Sequence, residues 1–154
     1  MENHEKNENF EICKRISKEL DKYTDGAHYK CPHCRALIAR ENKHDGAYGF
    51  PAYTCPKCGE EFDEYDVDEP VTIYDYFADN EIFDVKYIID ENLDFCGARV
   101  MITFGGPNIY IDTERGSIML RWWNESAEYS LTSSTAETVE DYFRERYNYA
   151  RDAH

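Results

Sequence analysis

Phe10, Ile12, Cys13, Ile16 and Leu20 recur at three- and four-residue intervals among Lys and Glu, a periodicity that predicts an amphipathic helix over residues 9–23. Asp25-Gly26 ends it, and the polar stretch before it, Met1 to Asn9, is expected to be unstructured. Much further on, Thr72-Ile-Tyr-Asp75 has the form of a capping box with Asp in the Glu position, opening a short helix to about Ala78. The pattern then changes period. Ile82 to Asp90 reads as a strand, Glu91 to Asp94 as a polar turn, and Ala98, Val100, Ile102 and Phe104 alternate with Arg99, Met101 and Thr103 until Gly105-Gly106-Pro107 breaks the run. Asn108 to Thr113 and Ser117 to Trp123 flank Glu114-Arg115-Gly116 as a hairpin with Ile118, Leu120 and Trp122 on one face. Ala127 to Thr132 adds another strand. Ser134-Thr-Ala-Glu137 is a second capping-box pattern, opening a C-terminal helix along which Val139, Phe143 and Tyr147 share a side. The expected class is α+β, an antiparallel sheet of four to five strands with the helices packed against one face.

Between the first helix and these strands the apolar periodicity gives way to cysteine spacing. Cys31-Pro-His-Cys34 and Cys55-Pro-Lys-Cys58-Gly59 are separated by 20 residues. Each CxxC turn lets two thiolates converge, and two turns complete a closed tetrahedral Cys₄ shell with no open coordination position. A single Cys-Pro-His-Cys would also suit a redox dithiol, but that chemistry needs a βαβ setting and has no use for the second pair. The four residues are therefore taken as ligands of one structural ion. Tyr29, Tyr48, Phe50, Tyr53 and Phe62 are the residues available to pack around it, in a core too small to fold without the metal.

Over residues 27–62 this pattern resembles zinc ribbons and their rubredoxin-like knuckles, which implies one structural Zn²⁺ held by Cys31, Cys34, Cys55 and Cys58. Arg35 departs from the usual knuckle, where Gly follows the second Cys, and a less tight turn is expected there. The expected organisation is a tail and helix over 1–26, the ribbon over 27–62 and an α+β domain over 63–154. Cys13 and Cys96 remain outside the site and are read as small buried hydrophobes. His33, inside the first knuckle, is expected to be exposed; His28 and His44 are read as residues beside the ligands or on the surface, and His4 and His154 as tail residues.

Charge changes the picture most. The chain of 154 residues has a net charge of −15, and residues 59–95 carry 14 acids against Lys86 alone, whereas residues 31–58 are net +2. With no leader-like start and no apolar stretch long enough to span a bilayer, the CxxC pairs point to a reducing, cytoplasmic setting. The acidic run Glu60, Glu61, Asp63, Glu64, Asp66, Asp68 and Glu69 lacks the central Gly and twelve-residue spacing of an EF-hand. No HExxH, P-loop or Ser/His/Asp-like grouping occurs, and no carboxylate pair stands in an apolar setting, so an enzyme is not expected.

Two readings then divide on the sign of charge. Ribbons commonly serve nucleic-acid machinery, and Arg35, Arg40, Lys43 and Lys57 offer phosphate contacts; the alternative is accordingly a nucleic-acid-binding or adaptor ribbon of transcription or replication. The favoured reading inverts this, with spaced carboxylates docking on the basic nucleic-acid-binding surface of a partner protein and blocking it. In small size, acidity and lack of catalytic grouping the whole chain resembles phage and mobile-element inhibitors of the anti-CRISPR and anti-restriction kind, which implies a target such as a Cas9-type nuclease with Arg- and Lys-lined channels. The residues assigned to partner binding are Asp63, Glu64, Asp66, Asp68 and Glu69, a second patch of Asp75, Asp79 and Glu81, and Trp123 as an aromatic anchor. Adjacent Trp residues on a strand face opposite ways, so one of Trp122 and Trp123 is expected in the core. With Tyr110 and Tyr129 they also form a candidate base-stacking platform.

Overall fold

A computed structural model describes residues 2–46 and 49–153, with residues 2–6 described by backbone alone. Tyr48 and His154 lie outside the described residues, as does the side chain of His4. The chain separates into two compact units, one formed by Met1–Asp21 and Ile73–His154, the other by Lys22–Thr72.

The first unit is α+β. Helix α1 (Glu2–Lys22) starts within the stretch expected to be unstructured, eight residues or so ahead of its apolar periodicity. The extension is tied at its inner end, where Asn9 Nδ2 donates to Glu125 at 3.0 Å and Phe10 meets Tyr129 edge-on at 5.3 Å. Helix α2 (Ile73–Asp79) buries Ile73, Tyr76 and Phe77. Five antiparallel strands follow: β6 (Asp84–Ile89), β7 (Phe95–Thr103), β8 (Asn108–Asp112), β9 (Ser117–Trp122) and β10 (Glu125–Ser130). They lie in the order β10-β9-β8-β7-β6, each pairing only with its sequence neighbours as a meander. Alternation places Ala98, Val100, Ile109, Ile111, Ile118 and Leu120 on the buried side, where helix α3 (Ser133–Asp152) covers β7 and contributes Val139 and Phe143, both fully buried.

Three local expectations give way here. Phe104 lies beyond the end of β7 in the turn and is 70% exposed. The cap of α3 is Thr132, whose hydroxyl accepts from the Thr135 N–H at 3.3 Å, two residues ahead of the Ser134 box. Asp21 explains that choice: its carboxylate accepts from the Thr132 hydroxyl at 3.0 Å and the Thr135 hydroxyl at 2.6 Å, placing a negative charge at the positive end of α3. Neither tryptophan is core, because Trp122 ends its strand at 38% exposure and Trp123 occupies the β9–β10 turn at 87%.

The second unit holds two small antiparallel sheets. Strands β1 (His28–Lys30) and β2 (Leu37–Ala39) form one, and β3 (Lys43–Asp45), β4 (Pro51–Thr54) and β5 (Glu61–Asp63) form the other, in the order β3-β4-β5. The start of the acidic run is therefore a ribbon strand, because Phe62 must turn inward to pair with Tyr53 and join the small core, which leaves Glu61 and Asp63 pointing out.

Phe143→Ala is expected to remove about 3–5 kcal/mol of stability from the sheet unit. Thr132→Ala, which deletes a cap, costs about 1 kcal/mol. Urea unfolding of the full chain followed by near-ultraviolet circular dichroism measures both.

Candidate metal centre

Two turns of the same construction present the four sulfurs. In the first, Arg35 N–H donates to the Cys31 carbonyl at 2.9 Å and Cys31 N–H to the Ala36 carbonyl at 2.8 Å; in the second, Gly59 N–H donates to Cys55 and Cys55 N–H to Glu60, both at 2.9 Å. Closing such a turn needs a left-handed residue, which Gly59 supplies at φ 76° without steric cost. Arg35 adopts the same conformation at φ 65°, so the first knuckle is as tight as the second despite its side chain, contrary to the sequence expectation. The backbone there carries the strain of a left-handed L-residue, about 1 kcal/mol.

Within the turns, backbone N–H groups point at sulfur. His33 and Cys34 approach Cys31 Sγ at 3.4 and 3.5 Å, and Cys58 approaches Cys55 Sγ at 3.5 Å. Across the turns, Cys31 and Cys58 sulfurs are 3.8 Å apart and those of Cys34 and Cys55 3.5 Å, with all four within 4.8 Å of one another. A disulfide would require about 2.05 Å. A tetrahedron built on metal–sulfur bonds of about 2.3 Å has edges near 3.8 Å, so these sulfurs stand where the corners of such a shell belong. The four cysteines can hold one metal ion.

Electrostatics point the same way. Burial opposes ionising Cys55, yet the backbone N–H groups of Cys58 and Lys57 and the thiols of Cys34 and Cys58 outweigh it and bring Cys55 down to about 6. For Cys58 the Glu60 backbone favours the thiolate, but lost hydration and the thiols of Cys55, Cys31 and Cys34 prevail and push it up to about 12. Sulfurs this close thus set Cys55 and Cys58 in opposite directions. A dication removes the conflict and lets all four ionise.

Comparison of the chain with protein-family models, curated proteins and solved structures finds no match. The reading of the site therefore rests on its own geometry.

Around the sulfurs, Cys31, Ile38, Tyr53, Cys55 and Phe62 form the buried cluster, with Tyr29, Cys34, Ala36 and Val67 against it. Phe50, expected in this core, is 64% exposed. Ile38 went unforeseen because a lone Leu-Ile pair between knuckles has no periodicity to mark it. His33 is exposed, with its ring 6.4 Å from Phe62. His28 is held by Asp25 and His44 donates or accepts with the Thr54 hydroxyl at 2.7 Å, so neither reaches the sulfurs.

The charged residues sort by unit. Asp63, Asp66, Asp68 and Glu69 are exposed, and among the described residues none of their side chains makes a hydrogen bond or ion pair. Glu64 differs, since its carboxylate closes on Lys43 and it is half-buried. Asp75, Asp79 and Glu81, the second patch, belong to the other unit, as does Trp123. Of the ribbon's cations, Arg40 donates to the Tyr29 hydroxyl at 3.0 and 3.2 Å and Lys43 is the partner of Glu64. Both line a groove of about 690 Å³ with Tyr29, Tyr53 and Tyr65.

Cys13 is fully buried and burial raises its thiol to about 11, whereas Cys96, expected to be buried, is exposed at the rim of β7. The reversal follows from a β-bulge: Ile88 pairs with Gly97 and Ile89 with Phe95, so Cys96 is skipped in the register and leaves the alternation that puts Ala98 and Val100 inside. In the metal-loaded protein Cys96 alone is expected to react rapidly with a disulfide reagent, and Cys13 only on unfolding. Cys31→Ser and Cys55→Ser are each expected to lower bound metal from one equivalent to near zero by elemental analysis. Chelation is expected to abolish amide protection at Ile38 and Phe62 while leaving that of Val100 and Ile118.

Proposed function

We propose that this chain is a non-enzymatic, zinc-braced docking protein that presents carboxylates to the basic nucleic-acid-binding surface of a partner protein and blocks it. The observation that carries this reading is the state of Asp63, Asp66, Asp68 and Glu69: exposed, on the last strand of the ribbon and just beyond it, and unpaired among the described residues. A carboxylate neutralised by its own fold offers a partner little. An unpaired one retains its full field, and a metal-held strand fixes where that field begins, which lowers the ordering cost of docking.

Zinc suits the site because the donor set is all thiolate and closed, the arrangement that structural zinc takes. A reducing compartment such as the cytoplasm keeps such thiolates available to metal. Among the described residues no helix is long and apolar enough to cross a membrane. The finer target class follows from the chemistry of the partner: a groove built to hold phosphates, such as the Arg- and Lys-lined channels of a Cas9-type nuclease, in the manner of anti-CRISPR and anti-restriction inhibitors. Trp123 supplies an aromatic anchor on the other unit, where Asp75, Asp79 and Glu81 form a second acidic group. A nucleic-acid-binding ribbon fits less well, because Arg40 and Lys43 already have partners within the ribbon.

The test uses a Cas9-type nuclease as the probe. Asp63→Asn, Asp66→Asn, Asp68→Asn and Glu69→Gln together should weaken capture of the intact chain about 100-fold at low salt, with metal content unchanged. Wild-type affinity should also fall steeply as salt rises toward about 0.15 M. Equal binding by the neutralised variant, or no binding by the wild type to this or any other phosphate-channel protein, sinks the reading.

A further inference from the structure

The face of the five-stranded sheet opposite α3 carries an arrangement that folding alone does not favour. Lys86 on β6 stands directly across from Arg99 on β7, two like charges in register on the same face. Such a pair destabilises a sheet, where an opposite-charge or apolar pair would stabilise it. Arg121 on β9 turns to the same hollow of about 100 Å³, which is lined by Asp84, Lys86, Arg99, Met101, Tyr110 and Arg121. Three cations thus converge in a protein of net charge −15.

Carboxylates nearby meet only part of this charge, with Glu128, already paired to Arg115, also feeling Arg121. Asp112 accepts from Arg99 at 3.3 Å, but that acid is almost fully buried and also accepts the Arg115 N–H at 2.9 Å, so it anchors Arg99 from beneath and stiffens the turn. Asp84 lines the hollow beside them, exposed and with no ion pair among the described residues. Lys86 and Arg121 are exposed and have no ion pair or hydrogen bond among the described residues. Tyr110, half-exposed in the same hollow, stacks on no other ring among the described residues. Arg121 also lines an adjoining, larger hollow of about 510 Å³, with Met119 and Trp123. Trp123 is held there at φ 54°, a left-handed conformation rare for a bulky side chain. Cations with an open aromatic face among them, continuing toward a second exposed ring, match a ligand that joins a phosphate to a planar base.

We propose that this sheet face is a nucleotide-binding site, with Lys86, Arg99 and Arg121 holding a phosphate group and Tyr110 and Trp123 offering stacking surfaces for the base. A free nucleotide and a nucleic-acid strand share this chemistry. The site shares Trp123 with the docking reading but none of Asp63, Asp66, Asp68 and Glu69, and the substitutions that test it leave those four carboxylates in place, so the two readings fail separately.

Full-length, metal-loaded protein is titrated at low salt against a fluorescent ATP analogue and against a labelled oligothymidylate of about a dozen nucleotides, read by anisotropy and by quenching of tryptophan emission. Binding of the ATP analogue assigns the free nucleotide, and binding of the oligonucleotide alone assigns the strand; either supports the site. Lys86→Gln with Arg121→Gln should weaken the bound probe at least about tenfold and, for a strand, lower the salt slope by about 0.7 for each cation lost. Tyr110→Phe should bind as wild type and Tyr110→Ala more weakly, whereas Lys57→Gln on the other unit should change nothing. Both exposed positions tolerate Gln, and Lys86→Gln should raise Tm by relieving the like-charge pair. No binding of either probe, binding indifferent to the double substitution, or a lowered Tm for Lys86→Gln would overturn the proposal.

Discussion

The second unit depends on four sulfurs sharing one point in space. Its buried cluster is five residues, and two of these, Cys31 and Cys55, are themselves candidate ligands, so apolar core and metal shell overlap. A cluster that small cannot offset the conformational entropy of some fifty residues, and thiolates brought within 4.8 Å repel one another. A cation reverses the second term and thereby makes the first tolerable. The left-handed Arg35 is a sign of how firmly the turn is dictated: the backbone accepts an unfavourable residue to keep the N–H groups aimed at sulfur.

The sheet unit obeys a different rule. Ile111, Ile118, Leu120, Val139 and Phe143 are fully buried in a continuous apolar layer, and its buried polar groups are matched, with Asp112 accepting from Arg99 and Arg115 and Thr113 accepting the Ala98 N–H at 2.8 Å. Asp21 joins the far ends of the sequence by binding two hydroxyls at the start of α3, which is why α1 belongs with strands more than sixty residues downstream. Metal loss and core mutation therefore strike separate units.

What was legible in the sequence was whatever repeats. Period two marked every strand of the main sheet to within about two residues, period 3.6 marked α1 and α3, and the paired CxxC spacing marked the sulfurs that converge. What escaped depended on contacts between distant residues. The helical run before Phe10 has no apolar stripe; the true cap of α3 is selected by Asp21, over a hundred residues away; and β5 looks like an acidic linker until Phe62 is seen opposite Tyr53. Element ends misled in the same way, since alternation places Phe104 and Trp123 correctly only while the strand lasts, and Cys96 falls at a bulge where the register shifts.

Net charge says less about recognition than the placing of individual charges. At physiological ionic strength the Debye length is about 8 Å, so a ligand on one sheet face feels the few groups around it far more than the sum over the chain. That separates residues of the same type into different roles. Arg115 is spoken for by a bidentate pair with Glu128, at 2.9 and 3.0 Å, and Arg144 by Glu140 and Asp141, whereas Lys86 and Arg121 face a hollow with a like charge for a neighbour. Glu64 is closed by Lys43, whereas Asp63 and Asp66 on either side of it are not. An acidic protein can thus display a carboxylate edge on one unit and a cationic hollow on the other, because screening keeps each local and the fold's own ion pairs decide which charges are left to act.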